Sequence, residues 1–130
     1  MSTYYRPSKP ISLDDIANNE VLQEIGFEIT NLKDKKYFCH EGHYIHFQLN
    51  DRNEVIDLFR YGGNNADKIL IPLEQMFKVE FVSEYDLGYD DYEDADTSVR
   101  RFTIKDGQIH FQEWLIHCST SLSLVMWLAT

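Results

Sequence analysis

The sequence predicts an α+β fold, in which an N-terminal helix packs on a largely antiparallel β-sheet of about five to seven strands. Three observations predict it: a strong helix signal near the N-terminus, a change of the apolar period from about 3.6 residues to 2 after Phe27, and short turn motifs between the alternating segments. The length of 130 residues suits one domain, and 43% hydrophobic residues are enough to build a core. We expect residues 1–10 to be a flexible leader and residues 11–130 to be a single α+β domain.

A helix over residues 13–25 is predicted by signals at both of its ends. Ser12 is a favourable N-cap residue. Ile11 and Ile16 have the spacing of a hydrophobic staple, which fixes the angle at which the chain enters a helix. Gly26 supplies a residue that adopts positive φ easily and therefore ends helices well.

Two β-hairpins are predicted by their turn residues. Glu41-Gly42 separates two alternating segments at 37–40 and 43–49. This hairpin register places Phe38 opposite Ile45, His40 opposite His43, and Tyr37 opposite His46. Asp106-Gly107 is a favoured type I′ turn and joins residues 101–105 to residues 108–116.

The remaining segments are less sharply defined. Residues 54–61 fit either a strand or a short helix, and the tight loop before them favours the strand. Pro72 suits the first position of a short helix that runs to about Phe77. Val79 to Tyr85 alternates as a strand, whereas residues 120–129 fit a closing strand or a C-terminal helix.

The charge balance excludes some classes of partner. Lys and Arg number 12 against 22 Asp and Glu, so the net charge is −10. Phosphate binding needs a positive surface, so the balance argues against direct nucleic-acid binding and against adsorption to an anionic membrane. Residues 1–10 carry no signal-peptide pattern, and the charge-free stretch at 114–130 is shorter than the roughly 20 residues of a spanning helix. We therefore expect a cytoplasmic protein whose Cys39 and Cys118 are reduced thiols.

The negative charge is concentrated in one segment. Between Val79 and Val99 there are eight carboxylates and no Lys or Arg, so this window carries −8 and the rest of the chain carries −2. A local field of this kind steers a basic partner and raises its association rate. The same run also fits a solvated loop whose charge only keeps the chain soluble.

Tyrosines are interleaved with these carboxylates. Tyr85, Tyr89 and Tyr92 have i, i+4, i+7 spacing, so an acidic loop or helical turn at 84–98 would align them on one face. Tyrosine is enriched among residues that dominate binding energy at protein interfaces. The residues expected to bind a partner are Glu84, Tyr85, Asp86, Tyr89, Asp90, Asp91, Tyr92, Glu93, Asp94 and Asp96.

We expect no metal site and no cofactor. Cys39, His40, His43 and His46 lack the paired spacing of zinc ligands, and alternation along the hairpin places them on two faces. In the acidic run Gly88 precedes most of the carboxylates, unlike the glycine of a calcium loop.

Motifs of catalysis are absent from the sequence. There is no Gly-x-Ser-x-Gly elbow, no Walker loop and no Gly-x-Gly-x-x-Gly motif. Cys39 and His40 are neighbours in a predicted strand, so their side chains point to opposite faces. We expect that the protein is not an enzyme; an enzyme or metal protein that uses Cys39, His40 and His43 is the alternative.

In size, acidity and lack of a catalytic motif, the chain resembles the immunity proteins that bacteria make against their own nuclease toxins. The resemblance implies a toxin inhibitor that binds a basic protein partner, for example a nuclease toxin, and occludes its active or nucleic-acid-binding site. A phage-type DNA mimic, whose carboxylates imitate phosphates and block a DNA-binding enzyme, is an alternative.

Overall fold

The residues that the structure describes form antiparallel strands and three helices. The computed structural model describes the backbone of residues 3–88, 96–118 and 123–129, and the side chains of residues 3–83 and 99–114. In chain order the elements are β1 (Thr3–Pro7), β2 (Ile11–Ser12), α1 (Leu13–Ala17), α2 (Glu20–Glu24), β3 (Glu28–Leu32), β4 (Lys35–His40), β5 (His43–Leu49), β6 (Glu54–Arg60), α3 (Ala66–Phe77), β7 (Phe81–Gly88), β8 (Asp96–Lys105), β9 (Gln108–Cys118) and β10 (Ser123–Ala129).

One large antiparallel sheet contains all of these strands. Its order is β10-β9-β8-β7-β1-β6-β5-β4-β3, and β2 pairs with β6 beside this path. The predicted architecture, an N-terminal helix on a sheet of about five to seven strands, is therefore wrong. The sheet is larger than predicted because the N-terminal residues and the segment after Phe27 add strands. The N-terminal helical segment, in turn, is short and divided into two helices.

The N-terminal strand β1 joins the two halves of the sheet. Thr3 to Tyr5 pair with β6, and then Arg6 and Pro7 pair with β7. The chain returns through β2 to pair again with β6. Residues 3–7, which the sequence placed in a flexible leader, are therefore a central strand; their partners are distant in the chain, and local patterns do not show them.

Two short helices, rather than the single helix expected at 13–25, follow β2. Ser12 caps α1 as predicted, with its Oγ 3.3 Å from the Asp15 backbone nitrogen. Asn19 then caps α2, with its Oδ1 2.9 Å from the Leu22 nitrogen. The predicted helix breaks here because the Asn19 side chain competes with the helical backbone bonds.

The predicted end of the helical segment is confirmed. Gly26 has φ +84°, which favours glycine, and the Phe27 N–H donates to the Leu22 carbonyl at 3.0 Å. Phe27 and Leu22 are both buried, so the turn after α2 is fixed to the core.

Both predicted hairpins are confirmed. The β4–β5 register pairs Phe38 with Ile45, His40 with His43 and Tyr37 with His46, as expected. Asp106 and Gly107 have φ of 54° and 72°, as a type I′ turn requires. Residues 54–60 and 123–129 are strands, so the strand alternative holds at both ambiguous segments.

Helix α3 is longer than predicted. It spans Ala66–Phe77 and contains Pro72 in its interior, so the expectation that Pro72 begins the helix is wrong. Its buried residues Ala66, Ile69, Leu70 and Leu73 pack with the apolar side chains of the sheet in a single core cluster. The residues of α1 and α2 that are buried, Ile16 and Leu22, belong to the same cluster, so all three helices cover one face of the sheet.

Ser12→Ala should lower the free energy of unfolding by about 1 kcal/mol, because the Asp15 N–H loses its acceptor. Urea unfolding followed by circular dichroism measures this change. Ser12→Asp, which keeps an acceptor at the cap, should remain close to the wild type. An unchanged midpoint for Ser12→Ala would show that the cap contributes nothing to stability.

Tyr5→Ala should destabilise the whole sheet by about 3–5 kcal/mol, because Tyr5 is a buried aromatic residue in the strand that joins its halves. Tyr44→Ala is the matched control, since Tyr44 is 41% exposed and should change stability by less than about 0.5 kcal/mol. Equal denaturation midpoints for the two variants would contradict the central role of β1.

Candidate functional site

The acidic segment is carried by the β7–β8 hairpin. Its strands pair without interruption from Phe81 opposite Ile104 to Gly88 opposite Thr97. Phe81 and Ile104 are fully buried in the core cluster. The hairpin is thus anchored at one end, and the acidic residues of β7 and β8 lie toward the other end.

The predicted site residues divide into two groups. Glu84, Tyr85 and Asp86 lie in β7, opposite Arg101, Arg100 and Val99 of β8, and Asp96 is the first residue of β8, opposite His117 of β9. Tyr89, Asp90, Asp91, Tyr92, Glu93 and Asp94 lie outside the described residues. The structure therefore brings the first group together on one hairpin.

The expected acidic loop or helical turn at 84–98 is wrong for the part of that range that the structure describes. Residues 84–88 and 96–98 are strands. Tyr85 accordingly lies in a strand, and the helical i, i+4, i+7 spacing does not apply to it. β7 is extended rather than helical because it pairs with β8, where Arg100 and Arg101 lie opposite its acidic residues. This pairing satisfies the hydrogen-bonding groups of the β7 backbone.

The arginines of β8 are held by residues of β9. Arg100 Nε lies 2.6 Å from Glu113 Oε2 in an ion pair, and the guanidinium of Arg101 lies 5.1 Å from the centre of the Trp114 ring. The first contact is a charge-assisted hydrogen bond and the second is a cation–π interaction. Both connect the strand that leads out of the acidic segment to its outer neighbour.

The histidines of the β4–β5 hairpin are bonded to the backbone. His40 Nδ1 lies 3.0 Å from the Lys68 carbonyl, and its Nε2 lies 3.1 Å from the Ile25 carbonyl. Pro72 has no N–H, so the Lys68 carbonyl lacks its usual helical donor, and the His40 ring lies beside this carbonyl instead. A neutral imidazole donates to one of the two carbonyls, whereas the protonated ring donates to both.

The other members of the predicted His and Cys set are also separated. His43 Nδ1 accepts from the Asn65 N–H at 3.1 Å, and His46 Nδ1 lies 3.0 Å from the Lys36 carbonyl. Cys39 is a free, half-buried cysteine. Within the described part of the chain, no group of three or more His, Cys, Asp or Glu side chains is placed to hold a metal ion.

A row of aromatic side chains lies on the face of the sheet opposite the helices. Tyr37, His46, Phe59 and Tyr4 are register partners on four adjacent strands. Successive ring centres are 5.5, 5.5 and 4.8 Å apart. No sequence motif marks this row, although its residues alternate with buried apolar ones, as Tyr4 does with Tyr5, and such alternation indicates a second face.

Tyr4 also belongs to a polar network at the end of this row. Its hydroxyl donates to Asp57 Oδ1 at 2.6 Å, and Arg6 Nε donates to the Tyr4 oxygen at 2.9 Å. Burial raises the pKa of the Tyr4 phenol above its usual value of 10.0, and the bond to Asp57 adds to the rise because ionisation would place two anions together. Tyr4 is therefore held as a neutral donor.

The same face continues as an open depression of about 680 Å³. Val82, Thr103 and His110 line it as register partners, and Arg6 is the partner of Val82 on β1. A Lys105–Glu80 ion pair of 3.4 Å lies at its border. The helix-free face therefore presents a continuous belt of aromatic and polar side chains.

Comparison of the chain with protein-family models, with curated proteins and with solved structures finds no match. Among the helices that the structure describes, none is long and apolar enough to cross a membrane.

The free energy of unfolding should fall as the pH rises above about 10, because the raised pKa of Tyr4 lets the folded chain retain a proton that the unfolded chain loses. The stability that comes from the raised pKa of Tyr4 is fully present below pH 10, and it is lost as the pH rises through the pKa of the folded state. Urea unfolding at several alkaline pH values measures it. Tyr4→Phe should show a smaller fall, whereas Tyr44→Phe should match the wild type, and an identical fall in all three proteins would contradict the assignment.

Proposed function

We propose that the chain is a cytoplasmic binding protein that neutralises a basic protein partner by occluding its active or nucleic-acid-binding site. The observation that carries the proposal is the charge of the segment between Val79 and Val99, which holds −8 of the net −10. A concentrated field attracts a cationic partner at long range, whereas scattered charge of the same total does not focus it.

The hairpin supports this proposal by the way it carries the acidic residues. Phe81 and Ile104 fix its inner end in the core, and the ladder continues to Gly88 opposite Thr97. The Arg100–Glu113 ion pair braces β8 against β9. The strands on both sides of the acidic segment are paired in the sheet. Binding therefore costs less conformational entropy than it would if these flanking residues were unpaired.

The proposed mechanism assigns different roles to the two residue types. The carboxylates occupy cationic groups that the partner uses to bind phosphates, and they act mainly on the rate of association. The tyrosines Tyr85, Tyr89 and Tyr92 contribute contact area and a hydroxyl each, and they act mainly on the rate of dissociation.

Neutralising the acidic segment should weaken binding without unfolding the chain. The variant carries Asp90→Asn, Asp91→Asn, Glu93→Gln and Asp94→Asn. Binding is measured against a panel of purified nucleases with net positive charge, over a series of salt concentrations. The wild type should bind a member of the panel, and the variant should bind it more weakly and with a shallower salt dependence, because fewer charges remain to be screened.

A control variant with the same change in net charge distinguishes a local field from total charge. It carries Glu24→Gln, Glu28→Gln, Asp34→Asn and Asp51→Asn, all at exposed positions outside the hairpin. This control should keep wild-type affinity and salt dependence. Equal weakening in both variants, or no binding of any basic nuclease by the wild type, would overturn the proposal.

Two single variants test the tyrosines in the same assay. Tyr89→Ala and Tyr92→Ala should each accelerate dissociation, with losses of about 1–2 kcal/mol where the ring is an anchor. Binding of several unrelated DNA-binding proteins with similar affinity would instead support the DNA-mimic alternative. If the neutralised variant and both tyrosine variants bind like the wild type, the interface lies elsewhere, and the aromatic row on β4–β6 is the next surface to test.

A further inference from the structure

Arg60 is a half-buried cation with no carboxylate partner in the described part of the chain. Its Nη1 donates to the Asn64 carbonyl at 3.1 Å and its Nη2 donates to Thr3 Oγ1 at 3.2 Å. Its Nε is buried and has no hydrogen-bond partner. The described ion pairs all involve other residues, although the chain carries 22 Asp and Glu. Charges that lose solvent contact are normally paired, but no described carboxylate lies within ion-pair distance of the Arg60 guanidinium.

A cavity of about 310 Å³ opens beside this guanidinium, on the helix-covered side of the sheet. Its polar lining consists of Arg60, Thr3, Asn65 and Asp67. Tyr5, Phe102 and Ile109 line it with apolar surface, and Ile109 is 47% exposed. The cavity therefore combines the Arg60 guanidinium with an apolar wall that solvent reaches.

The start of α3 adds to the electrostatics of the cavity. Asn65 makes no side-chain cap bond, and its own N–H donates to His43, so the first-turn N–H groups of Ala66 and Asp67 are not capped by a side chain. Ala66 and Asp67 both line the cavity. The helix dipole favours an anion here, while the Asp67 carboxylate restricts the charge that the cavity accepts. A single negative charge fits this balance better than a polyanion.

We propose that this cavity binds a small monocarboxylate with an apolar body. The carboxylate lies beside Arg60, whose guanidinium matches its planar geometry, and the apolar body lies against Phe102 and Ile109. The volume is at the lower end of ligand pockets, which limits the ligand to about the size of benzoate or hexanoate. This site is separate from the acidic hairpin and does not depend on the proposed function.

Titration of the full chain with benzoate, followed by the backbone amide signals in nuclear magnetic resonance spectra, tests the proposal. Benzoate should shift the signals of Thr3, Ala66 and Asp67 in a saturable manner. Benzamide, which is neutral and of similar shape, should shift them at least about tenfold more weakly, since it lacks the charge for the bond to Arg60. Inorganic phosphate is a separate arm, and stronger binding of phosphate than of benzoate would overturn the assigned ligand class.

Substitutions show which side chains of the cavity contribute to benzoate binding. Arg60→Gln should weaken benzoate binding at least about tenfold, Arg60→Lys should weaken it less, and Arg52→Gln, at an exposed position outside the cavity, should leave it unchanged. Ile109→Ser tests the apolar wall without touching the arginine and should also weaken binding, so the test stands if Arg60→Gln fails to fold. Absence of saturable shifts with benzoate, equal binding of benzamide, or equal loss in Arg52→Gln would overturn the proposal.

Discussion

The pairing of β1 with two different strands is the constraint on which the rest of the structure depends. Thr3 to Tyr5 belong to the ladder of β6, and Arg6 and Pro7 belong to the ladder of β7. Ser8 extends the second contact, because its N–H donates to the Glu80 carbonyl at 2.7 Å and its Oγ accepts from the Glu80 N–H at 3.1 Å. The aromatic row, the core cluster and the base of the acidic hairpin all meet at this strand. A strand of five residues therefore fixes their relative positions.

Side chains complete the backbone hydrogen bonding where helices and sheet meet. His40 Nδ1 lies 3.0 Å from the Lys68 carbonyl that Pro72 leaves without its helical donor, and Glu74 Oε1 accepts from the Gly107 N–H at 2.6 Å. The first bond ties α3 to β4, and the second ties the other end of α3 to the β8–β9 turn. A side-chain nitrogen of a neighbouring strand thus lies beside the carbonyl that the proline frees inside the helix.

Local features of the fold could be predicted from the sequence, and long-range pairing could not. Ser12, Gly26 and Asp106-Gly107 act through residues a few positions away, so the cap and the type I′ turn follow from their chemistry. The strand at 3–7 depends on residues more than fifty positions away, and Pro10 and Pro7 suggested an irregular leader. Likewise, the spacing of Tyr85, Tyr89 and Tyr92 suggested a helical face, whereas extended pairing with β8 fixed the backbone of Tyr85 as a strand. Arg60 carries no sequence motif, and only the folded chain shows that its buried Nε has no hydrogen-bond partner among the described residues.

Two described contacts brace the acidic hairpin against its outer neighbour, β9. Arg100 and Arg101 are consecutive in β8, so their side chains lie on opposite faces of the sheet. Arg100 bonds Glu113 on one face, and Arg101 stacks on Trp114 on the other, so β8 is tied to β9 on both faces just inside the acidic segment. The partners in these two contacts, Glu113 and Trp114, both lie in β9 and outside the acidic segment. Because mutual repulsion of the carboxylates opposes a compact hairpin, such bracing lets the chain concentrate negative charge in one segment without loosening the strands that carry it.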